Sequence, residues 1–312
     1  MKVIQAPSQF QNSTAGLFCT IGMFDGLHRG HQAVIDYTLR EATRENGIAL
    51  AITFAPHPAK VVAPSKAPDL IYPFTKRREL LTKTALDVIW EIPFDEAFSQ
   101  INGAGFIDLL ATRFAPLKLI CVGPDFHFGH QRSGNRALLK AASEQHDFRL
   151  PDIVPVTEKG SEVSSTIIRK LIREGDLNQV ATQLGRAYEL CGTVVTGDCV
   201  GRSLGFPTAN LDTTDLVLPP RGVYAIKARH AQSTLTGVMN IGVRPTRGLS
   251  ENQPRVEAHF FDFDDDLYGK PLALQPVQRL RSEQTFPSLD ALKDQIAKDC
   301  QQAREVLHAT AT

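Results

Sequence analysis

Residues 19–31 read Cys-Thr-Ile-Gly-Met-Phe-Asp-Gly-Leu-His-Arg-Gly-His. An apolar run at residues 17–24 predicts a buried strand, and apolar residues at positions 34, 35 and 39 predict a helix directly after it. His28 and His31 lie in the turn that joins the two, with Gly30 between them. Such a junction presents backbone N–H groups and the positive end of a helix to a phosphate. The stretch therefore predicts an α/β fold with a nucleotide site at this turn.

Length and charge limit the classes of protein to consider. A chain of 312 residues has room for about two domains of ordinary size. The 34 basic residues balance the 34 acidic residues, so the whole chain has no electrostatic attraction for nucleic acid or an anionic membrane. We expect neither as a partner. The basic run at residues 76–78 is typical of a solvated helix face.

The cysteines and the apolar runs indicate where the protein resides. The five cysteines include no Cys-x-x-Cys pair, which predicts buried thiols in a reducing compartment. The longest apolar run is too short to span a bilayer, and the first residues lack the apolar segment of a signal peptide. We therefore expect a cytoplasmic protein.

The first half of the chain alternates between strand and helix patterns. Strands are predicted at 17–24, 48–55, 88–94, 118–122 and 152–156, and helices at 31–45, 77–84, 97–114 and 135–144. Short apolar strands separated by helices predict a Rossmann-like parallel sheet covered on both faces. His28 and His31 follow the first strand, His57 the second and Asp125 a later one, so we expect these residues to meet at one edge of the sheet.

The pattern changes after Gly185. Two short helices are predicted at 165–175 and 176–184, and the strands then predicted at 191–195, 223–229, 235–241, 256–263 and 272–280 follow one another without helices. A final helix is predicted at 289–307. This order predicts a small antiparallel β-barrel with one closing helix. We expect one domain over residues 1–184 and a second over residues 185–312.

Three interpretations of His28 and His31 are open. A zinc site would need further Cys, His or Glu ligands at the usual spacing, which this segment lacks. Two structural histidines would need no ligand at all. Adenylyl transfer gives a third interpretation, because it requires donors for the charge that develops on phosphate rather than a nucleophile. Two imidazoles at a helix N-terminus provide such donors, and Gly30 lets a triphosphate approach the backbone.

The second half has polar residues of its own. Thr208 and Asn210 offer hard oxygen ligands for a Mg²⁺ ion that binds phosphates, although their segment could also form an ordinary turn. It is not a Walker A loop, because the Gly-Lys-Ser/Thr ending is missing. Glu257 lies in a predicted strand, as a solvent-facing residue or as a general base. Asp262, Asp264 and Asp266 fit a polar hairpin turn better than an EF-hand, because Leu267 replaces the glycine.

Several motifs together resemble a known family. The pattern Gly-x-Phe-Asp-Gly-x-His-x-Gly-His at residues 22–31 resembles the nucleotidyltransferase signature, and more specifically that of the bacterial bifunctional riboflavin kinase/FMN adenylyltransferases, or FAD synthetases. Further similar segments lie at residues 53–58, 123–135, 164–176, 201–210, 237–246, 256–269 and 281–286. The resemblance extends over roughly residues 16–300. The order of these motifs along the chain identifies the family far more specifically than any single motif does.

The resemblance implies roles for residues of the first domain. His28 and His31 would contact the ATP phosphates in catalysis, and His57 and Asp125 would bind FMN. Some relatives carry Asn at the position of Asp125. The remaining residues implied to bind ATP are Gly22, Phe24, Gly30, Ser165, Thr166 and Arg169. From the residues alone, the segment 164–169 is equally an ordinary helix capped by serine.

In the second domain the resemblance implies a flavokinase barrel. Thr208 and Asn210 would bind MgATP, and Glu257 would act as the general base. Arg281 and Glu283 would contact the flavin, although a plain salt bridge between these two side chains is the alternative.

The implied activity has two steps. The chain would phosphorylate riboflavin to FMN with MgATP and adenylylate FMN to FAD with a second ATP. The FAD would pass to flavoenzyme apoproteins. Two other functions remain open: an enzyme with only one of these activities, and a flavin sensor without turnover. A sensor has no need of a general base or of paired histidines at a triphosphate.

Overall fold

The structure is a computed structural model that describes residues 1–10, 14–114, 116–197, 201, 205–230, 233–243 and 254–310. It divides into two compact units. The N-terminal unit comprises Met1–Leu70, Phe74–Ile167 and Gln183–Gly185, and the C-terminal unit comprises Ile71–Pro73, Ile168–Thr182 and Arg186–Thr312. The domain boundary after residue 184 stays a prediction. Within the described ranges, no helix is both long enough and apolar enough to cross a membrane.

A five-stranded parallel sheet forms the centre of the N-terminal unit, as the sequence predicts. The strands are β1 (Lys2–Ile4), β2 (Leu17–Ile21), β3 (Ile48–Ala55), β4 (Val88–Pro93) and β5 (Leu117–Cys121), in the order β1-β4-β3-β2-β5. Adjacent strands pair through segments such as Leu17–Ile21 beside Ile48–Ile52. The strand order places β2 and β3 side by side near the middle of the sheet.

The strand predicted at residues 152–156 is wrong. Residues 151–156 form a loop, and β1 at the chain start completes the sheet beside β4 instead. Pro151 directly precedes the segment and Pro155 lies within it, and both lack the N–H group that a sheet ladder requires. Val154 is 81% exposed, which is also incompatible with a buried central strand.

Helices cover both faces of this sheet. They are α1 (Arg29–Arg44), α2 (Pro58–Val62), α3 (Phe74–Thr82), α4 (Glu96–Ser99), α5 (Gly103–Arg113) and α6 (Arg136–Gln145). The single helix predicted at 97–114 is two helices, because Asn102 caps α5 by accepting a hydrogen bond from Gly105 N–H at 2.8 Å. Successive residues of β2 alternate between two cores: Leu17 and Cys19 belong to one, and Phe18 to the other. This alternation confirms a sheet that is buried on both faces.

Two helices and a small hairpin follow the sheet. The hairpin pairs β6 (Thr157–Glu158) with β7 (Ser161–Glu162). Helices α7 (Ser165–Glu174) and α8 (Leu177–Leu184) agree with the prediction, and Gly175, with φ of +81°, separates them.

The C-terminal unit contains a closed antiparallel barrel in the order β10-β11-β12-β9-β8-β13. Its strands are β8 (Leu190–Val195), β9 (Ala209–Asp212), β10 (Gly222–His230), β11 (Ser233–Gly242), β12 (Arg255–Phe260) and β13 (Pro271–Ser282). Helix α9 (Leu289–Ala309) packs Ala303 and Leu307 against barrel residues that include Val223 and Phe261. The predicted barrel with a closing helix is therefore confirmed. The sequence missed β9, which is only four residues long and contains two polar residues.

The core of the N-terminal sheet can be tested through Trp90, the single tryptophan of the chain, which is 2% exposed. We expect Leu50→Ala to lower the free energy of unfolding by about 2–5 kcal/mol, because Leu50 is fully buried and the truncation leaves a cavity. Val154→Ala is the matched control and should change it by less than about 0.5 kcal/mol. Urea denaturation followed by Trp90 fluorescence measures both. Equal effects of the two substitutions on the free energy of unfolding would contradict the burial of Leu50 in the core.

Candidate functional site

The turn after β2 adopts an unusual backbone that places His28 at the start of α1. Phe24 and Leu27 have φ values of 50° and 39°, and Gly26 lies between them at 79°. Left-handed conformations at two non-glycine residues are energetically unfavourable and must be held by surrounding contacts. His28 then caps α1, because its Nδ1 accepts a hydrogen bond from His31 N–H at 3.3 Å. The local sequence therefore brings both imidazoles to one helix N-terminus.

The two imidazole rings stack on each other. Their centroids are 3.6 Å apart with an angle of 18° between the planes, and Phe24 meets the His31 ring edge-on at 5.4 Å. His28 is 5% exposed, whereas His31 is half-buried. The stacking and the neighbouring aromatic ring hold both imidazoles in one orientation at the end of the helix.

A pocket of about 300 Å³, the turn pocket, opens at this place. The loops 123–126 and 153–156 and the segment 162–165 form part of its wall. The predicted site residues that line it are Gly22, Phe24, His28, Gly30, His31, Asp125 and Ser165. The structure thus brings together residues from the ends of β2 and β5 and from the start of α7, as expected at the edge of a parallel sheet.

Close contacts shape the turn pocket. A Cβ atom on Gly30 would lie 3.2 Å from the His28 ring and 3.2 Å from the carbonyl oxygen of Val163, so a larger residue would crowd the wall. Ser165 donates a hydrogen bond from Oγ to the backbone carbonyl of Asp25 at 3.1 Å. This bond connects the first residue of α7 to the turn that carries the histidines.

Three predicted residues of the first domain lie apart from the turn-pocket lining that the structure describes. His57 caps α2, with Nδ1 accepting from Ala59 N–H at 3.1 Å. Thr166 is exposed in the first turn of α7, and Arg169 is half-buried one turn further along that helix. Their roles toward ATP and FMN stay predictions.

A second pocket of about 610 Å³, the aromatic pocket, was missed by the sequence reasoning. Six phenylalanines line it: Phe54, Phe94, Phe98, Phe106, Phe126 and Phe128. Phe126 also lines the turn pocket, so the two pockets share a wall. Phe54 lies three residues before His57, and Phe126 and Phe128 follow Asp125 closely. Phenylalanines that recur within the motifs were therefore the sequence feature from which an aromatic pocket could have been predicted.

Arg77 corrects the expectation of a solvated basic run at residues 76–78. Its side chain is buried, with 2% exposure, and donates hydrogen bonds to the carbonyl oxygens of Met23 and Phe54. Burial lowers the pKa of the Arg77 guanidinium to about 10, although the carboxylates of Glu91 and Asp25 partly counteract this effect. The group therefore remains charged at neutral pH.

In the barrel, Glu257 stands in a row of polar side chains. It pairs with Asn240 of β11 on one side and with Asn210 of β9 on the other. Directly opposite residues project from the same face of a sheet, and the neighbours Val256 and Ala258 are buried on the other face. Glu257 is half-buried and lies beside Asn210, which brings together the predicted base and one predicted metal ligand.

A barrel pocket of about 330 Å³ includes Thr208, together with Val194, Ala209, Ala258, Phe260, residues 263–268 and Pro207. Asn210 and Glu257 lie outside the lining that the structure describes for it. Residues 202–204 and 244–246, which belong to two of the similar motifs, lie outside the described residues. The barrel site is therefore described only in part.

The oxygen atoms at this site suit a hard cation. Thr208 and Asn210 offer neutral oxygens, and the carboxylate of Glu257 adjoins Asn210. A Cβ atom on Gly197 would lie 2.1 Å from Asn210 Nδ2, so the backbone approaches this amide closely. No cluster of three or more His, Cys, Asp or Glu side chains suited to a metal occurs in the described ranges. These residues fit an ion such as Mg²⁺, which keeps several waters and binds phosphates.

Arg281 and Glu283 have separate partners. The carboxylate of Asp299 binds the Arg281 guanidinium through Nε at 3.0 Å and Nη2 at 2.8 Å, and Asp299 is 3% exposed. Glu283 instead accepts a hydrogen bond from Val243 N–H at 2.9 Å. The salt bridge considered between Arg281 and Glu283 is therefore replaced by one to helix α9. Flavin contacts of both residues stay predictions.

Two family models match the chain. The model described as FAD synthetase matches residues 10–167, and the model described as riboflavin kinase matches residues 184–307. The first match contains the turn pocket and the aromatic pocket, and the second contains the barrel.

Curated relatives match nearly the whole chain. Proteins named bifunctional riboflavin kinase/FMN adenylyltransferase from Escherichia coli strain K12 and Haemophilus influenzae are each 34% identical to it. The first match covers 98% of this chain and 96% of the relative, and the second covers 97% and 98%. The Bacillus subtilis relative of the same name is 34% identical over 91% of this chain and 90% of its own length.

A solved structure from Streptococcus pneumoniae, described as a macrolide-efflux protein, also matches. Its TM-score is 0.78 at 25% sequence identity, and the match covers 97% of this chain and 98% of that chain.

The Arg281–Asp299 pair predicts a strong link between α9 and the barrel. We expect Asp299→Ala to destabilise the barrel by about 3 kcal/mol, because it leaves a largely buried arginine without its carboxylate. Asp262→Ala is the matched control, since Asp262 also forms an ion pair with an arginine, Arg304 of α9, but at the surface. Hydrogen exchange of the β10 and β13 amides in urea measures both. The prediction fails if the two substitutions weaken protection equally.

Proposed function

The chain belongs to the family of bifunctional riboflavin kinase/FMN adenylyltransferases, and we propose that it converts riboflavin to FMN and then FMN to FAD. The observation that carries this proposal is a turn pocket with two stacked imidazoles at a helix N-terminus, sharing Phe126 with an aromatic pocket. The first step belongs to the barrel and the second to the parallel sheet. We assign them to residues 185–312 and 1–184, respectively.

In the kinase step, the ribityl 5′-hydroxyl of riboflavin attacks the γ-phosphorus of ATP. A new O–P bond forms, the bond to the β-phosphate oxygen breaks, and ADP leaves. Glu257 takes the hydroxyl proton, which its half-buried position beside Asn210 supports. Thr208 and Asn210 hold the metal–nucleotide through their side-chain oxygens. Mg²⁺, when bound, neutralises charge on the ATP phosphates.

In the adenylyltransferase step, a phosphate oxygen of FMN attacks the α-phosphorus of a second ATP and pyrophosphate leaves. No proton has to be removed from an ionised phosphate, so the protein contributes position and charge stabilisation. His28, His31 and the N-terminal N–H groups of α1 supply donors for the developing charge. We assign the rest of the ATP site to Gly22, Phe24, Gly30, Ser165, Thr166 and Arg169.

The aromatic pocket is the best location for the isoalloxazine ring of FMN. A flat apolar ring system fits a cavity of about 610 Å³ walled by phenylalanines. Phe126 belongs to both pockets, so a flavin held here directs its ribityl phosphate toward the turn pocket. We place His57 and Asp125 beside the FMN, because Pro58 and Phe126, their sequence neighbours, line the aromatic pocket.

The product of the barrel is the substrate of the sheet unit, and FAD would then pass to flavoenzyme apoproteins. We propose a cytoplasmic location, with which the four described cysteines agree, because all of them are buried and none forms a disulfide.

Separate sites predict separable activities. With riboflavin and MgATP, we expect FMN to appear first and FAD afterwards in a chromatographic time course. His28→Ala should abolish FAD formation and leave FMN formation intact, because it removes a donor from the turn pocket only. Glu257→Ala should abolish riboflavin phosphorylation, yet convert supplied FMN to FAD at the normal rate.

Each variant is the control for the other, since both keep one intact site. Accumulation of FMN with no FAD in the wild type would show that the protein is a kinase with a single activity. Tight flavin binding without any turnover would show that it is a flavin sensor. Loss of both activities in either folded variant would contradict the two-site assignment.

The location of the flavin ring predicts an effect on one Michaelis constant. Phe126→Ala should raise KM for FMN about twofold to twelvefold, because an aromatic contact contributes about 0.5–1.5 kcal/mol. Phe10→Ala is the matched control: Phe10 is also a half-buried phenylalanine packed on the same core, away from the described lining of the pocket. KM for riboflavin in phosphorylation should stay unchanged in both. An unchanged KM for FMN in Phe126→Ala would exclude this pocket.

A further inference from the structure

We propose that Arg77 is a positioning residue for adenylyl transfer, which fixes the two loops that carry His28, His31 and His57. The inference rests on the function proposed above for the turn pocket. Arg77 lies on α3 and is not among the residues that line either described pocket of the N-terminal unit, although it binds the backbone carbonyls of lining residues. Its action is therefore exerted through the backbone of other residues.

The guanidinium bridges two strand ends. Nη1 donates to the Met23 carbonyl at 3.0 Å, and Nη2 donates to the Phe54 carbonyl at 2.8 Å. Met23 directly precedes Phe24, the first left-handed residue of the histidine turn. Phe54 stands three residues before His57. One side chain thus holds the start of each loop.

The bridge lies where the sheet ladder stops. The register between β2 and β3 ends at Ile21 and Ile52, and the bond from Gly22 N–H to the Ile52 carbonyl at 3.1 Å is the next one beyond it. Past that bond, the Met23 and Phe54 carbonyls both point to Arg77 donors. The planar guanidinium, with its donors in a rigid fork, continues the connection between the two strands.

The surroundings are built to keep this charge buried. Glu91 and Asp25 are 4% and 2% exposed, and both carboxylates attract the guanidinium. Arg78 binds Glu91 from the surface side. An apolar side chain at position 77 would remove both guanidinium donors and leave the two buried carboxylates without this cation, while the Met23 carbonyl would keep the longer hydrogen bond from Thr53 Oγ1 at 3.4 Å. The histidine turn, with its unfavourable φ values, would lose one of the contacts that hold it.

The expected effect is on turnover. Misplacing a catalytic group by about 1 Å costs on the order of 100-fold in rate, so we expect Arg77→Met to lower kcat for FAD formation about 100-fold. KM for ATP and for FMN should change far less, because the pocket walls remain. Arg77→Lys keeps a charge and N–H donors and should recover about 10-fold of the loss.

The matched control is Arg149→Met. Arg149 belongs to the same unit and binds Glu41 and Glu45, near the end of α1 that lies away from His28. It should leave kcat for FAD formation within about twofold of the wild type. The rate of riboflavin phosphorylation by the barrel should be unchanged in all three variants. This rate therefore serves as the measure of active protein in each sample.

Hydrogen exchange separates positioning from general destabilisation. In Arg77→Met, exchange should rise in residues 22–31 and 56–60 and stay unchanged in β2, β3 and β4. A kcat within about twofold of the wild type would overturn the proposal, as would faster exchange throughout the sheet with no recovery in Arg77→Lys. If the wild type made no FAD, the proposed function would fail, while exchange in the two loops would still decide the role of Arg77.

Discussion

All strands of the N-terminal sheet run in one direction, so the loops that leave their carboxyl ends meet along one edge. This constraint creates the turn pocket, because the loops after β2 and β5 leave the sheet at the same edge and lie side by side there. The same edge is where the ladder of backbone hydrogen bonds ends. The protein therefore needs other hydrogen-bond partners there. The buried guanidinium of Arg77 and the Ser165 hydroxyl donate to backbone carbonyls, and the His28 ring accepts from the His31 N–H. The chemistry of the site and the stability of its loops arise from the same lack of strand pairing.

In the barrel, the constraint concerns which face of the sheet can carry polar groups. A closed antiparallel sheet has one face filled by its own core, so polar groups for chemistry must stand on the other face. Glu257 and Asn210, which we propose for the kinase site, are cross-strand neighbours, and the residues on either side of Glu257 are buried. Helix α9 is held to the barrel by apolar packing and by the buried carboxylate of Asp299, which binds Arg281. In the proposed function, one unit makes the phosphate that the other unit uses as its nucleophile.

The sequence predicted most elements because their patterns are local. The alternation of strands and helices indicated the parallel sheet, and the run of strands after Gly185 indicated the barrel. The errors occurred where a local pattern had two interpretations. Residues 152–156 are mostly apolar and strand-like, but Pro151 and Pro155 have no N–H to donate to a ladder, and residues 153–156 line a pocket instead. Arg77 stands in a basic run that has the pattern of a surface, and only the strand ends beside it explain its burial.

By itself, the amino-acid sequence determined the two-domain order and the strand–turn–helix at His28, and it supplied the polar residues that we propose for each site. These features depend on periodicity, turn residues and motif spacing over a few tens of residues. Only the tertiary structure decided that six phenylalanines form one pocket, that Arg281 binds Asp299, and that Arg77 bridges Met23 and Phe54. Each of these contacts joins residues of different helices, strands and loops, so its energy depends on burial and distances that no local pattern contains.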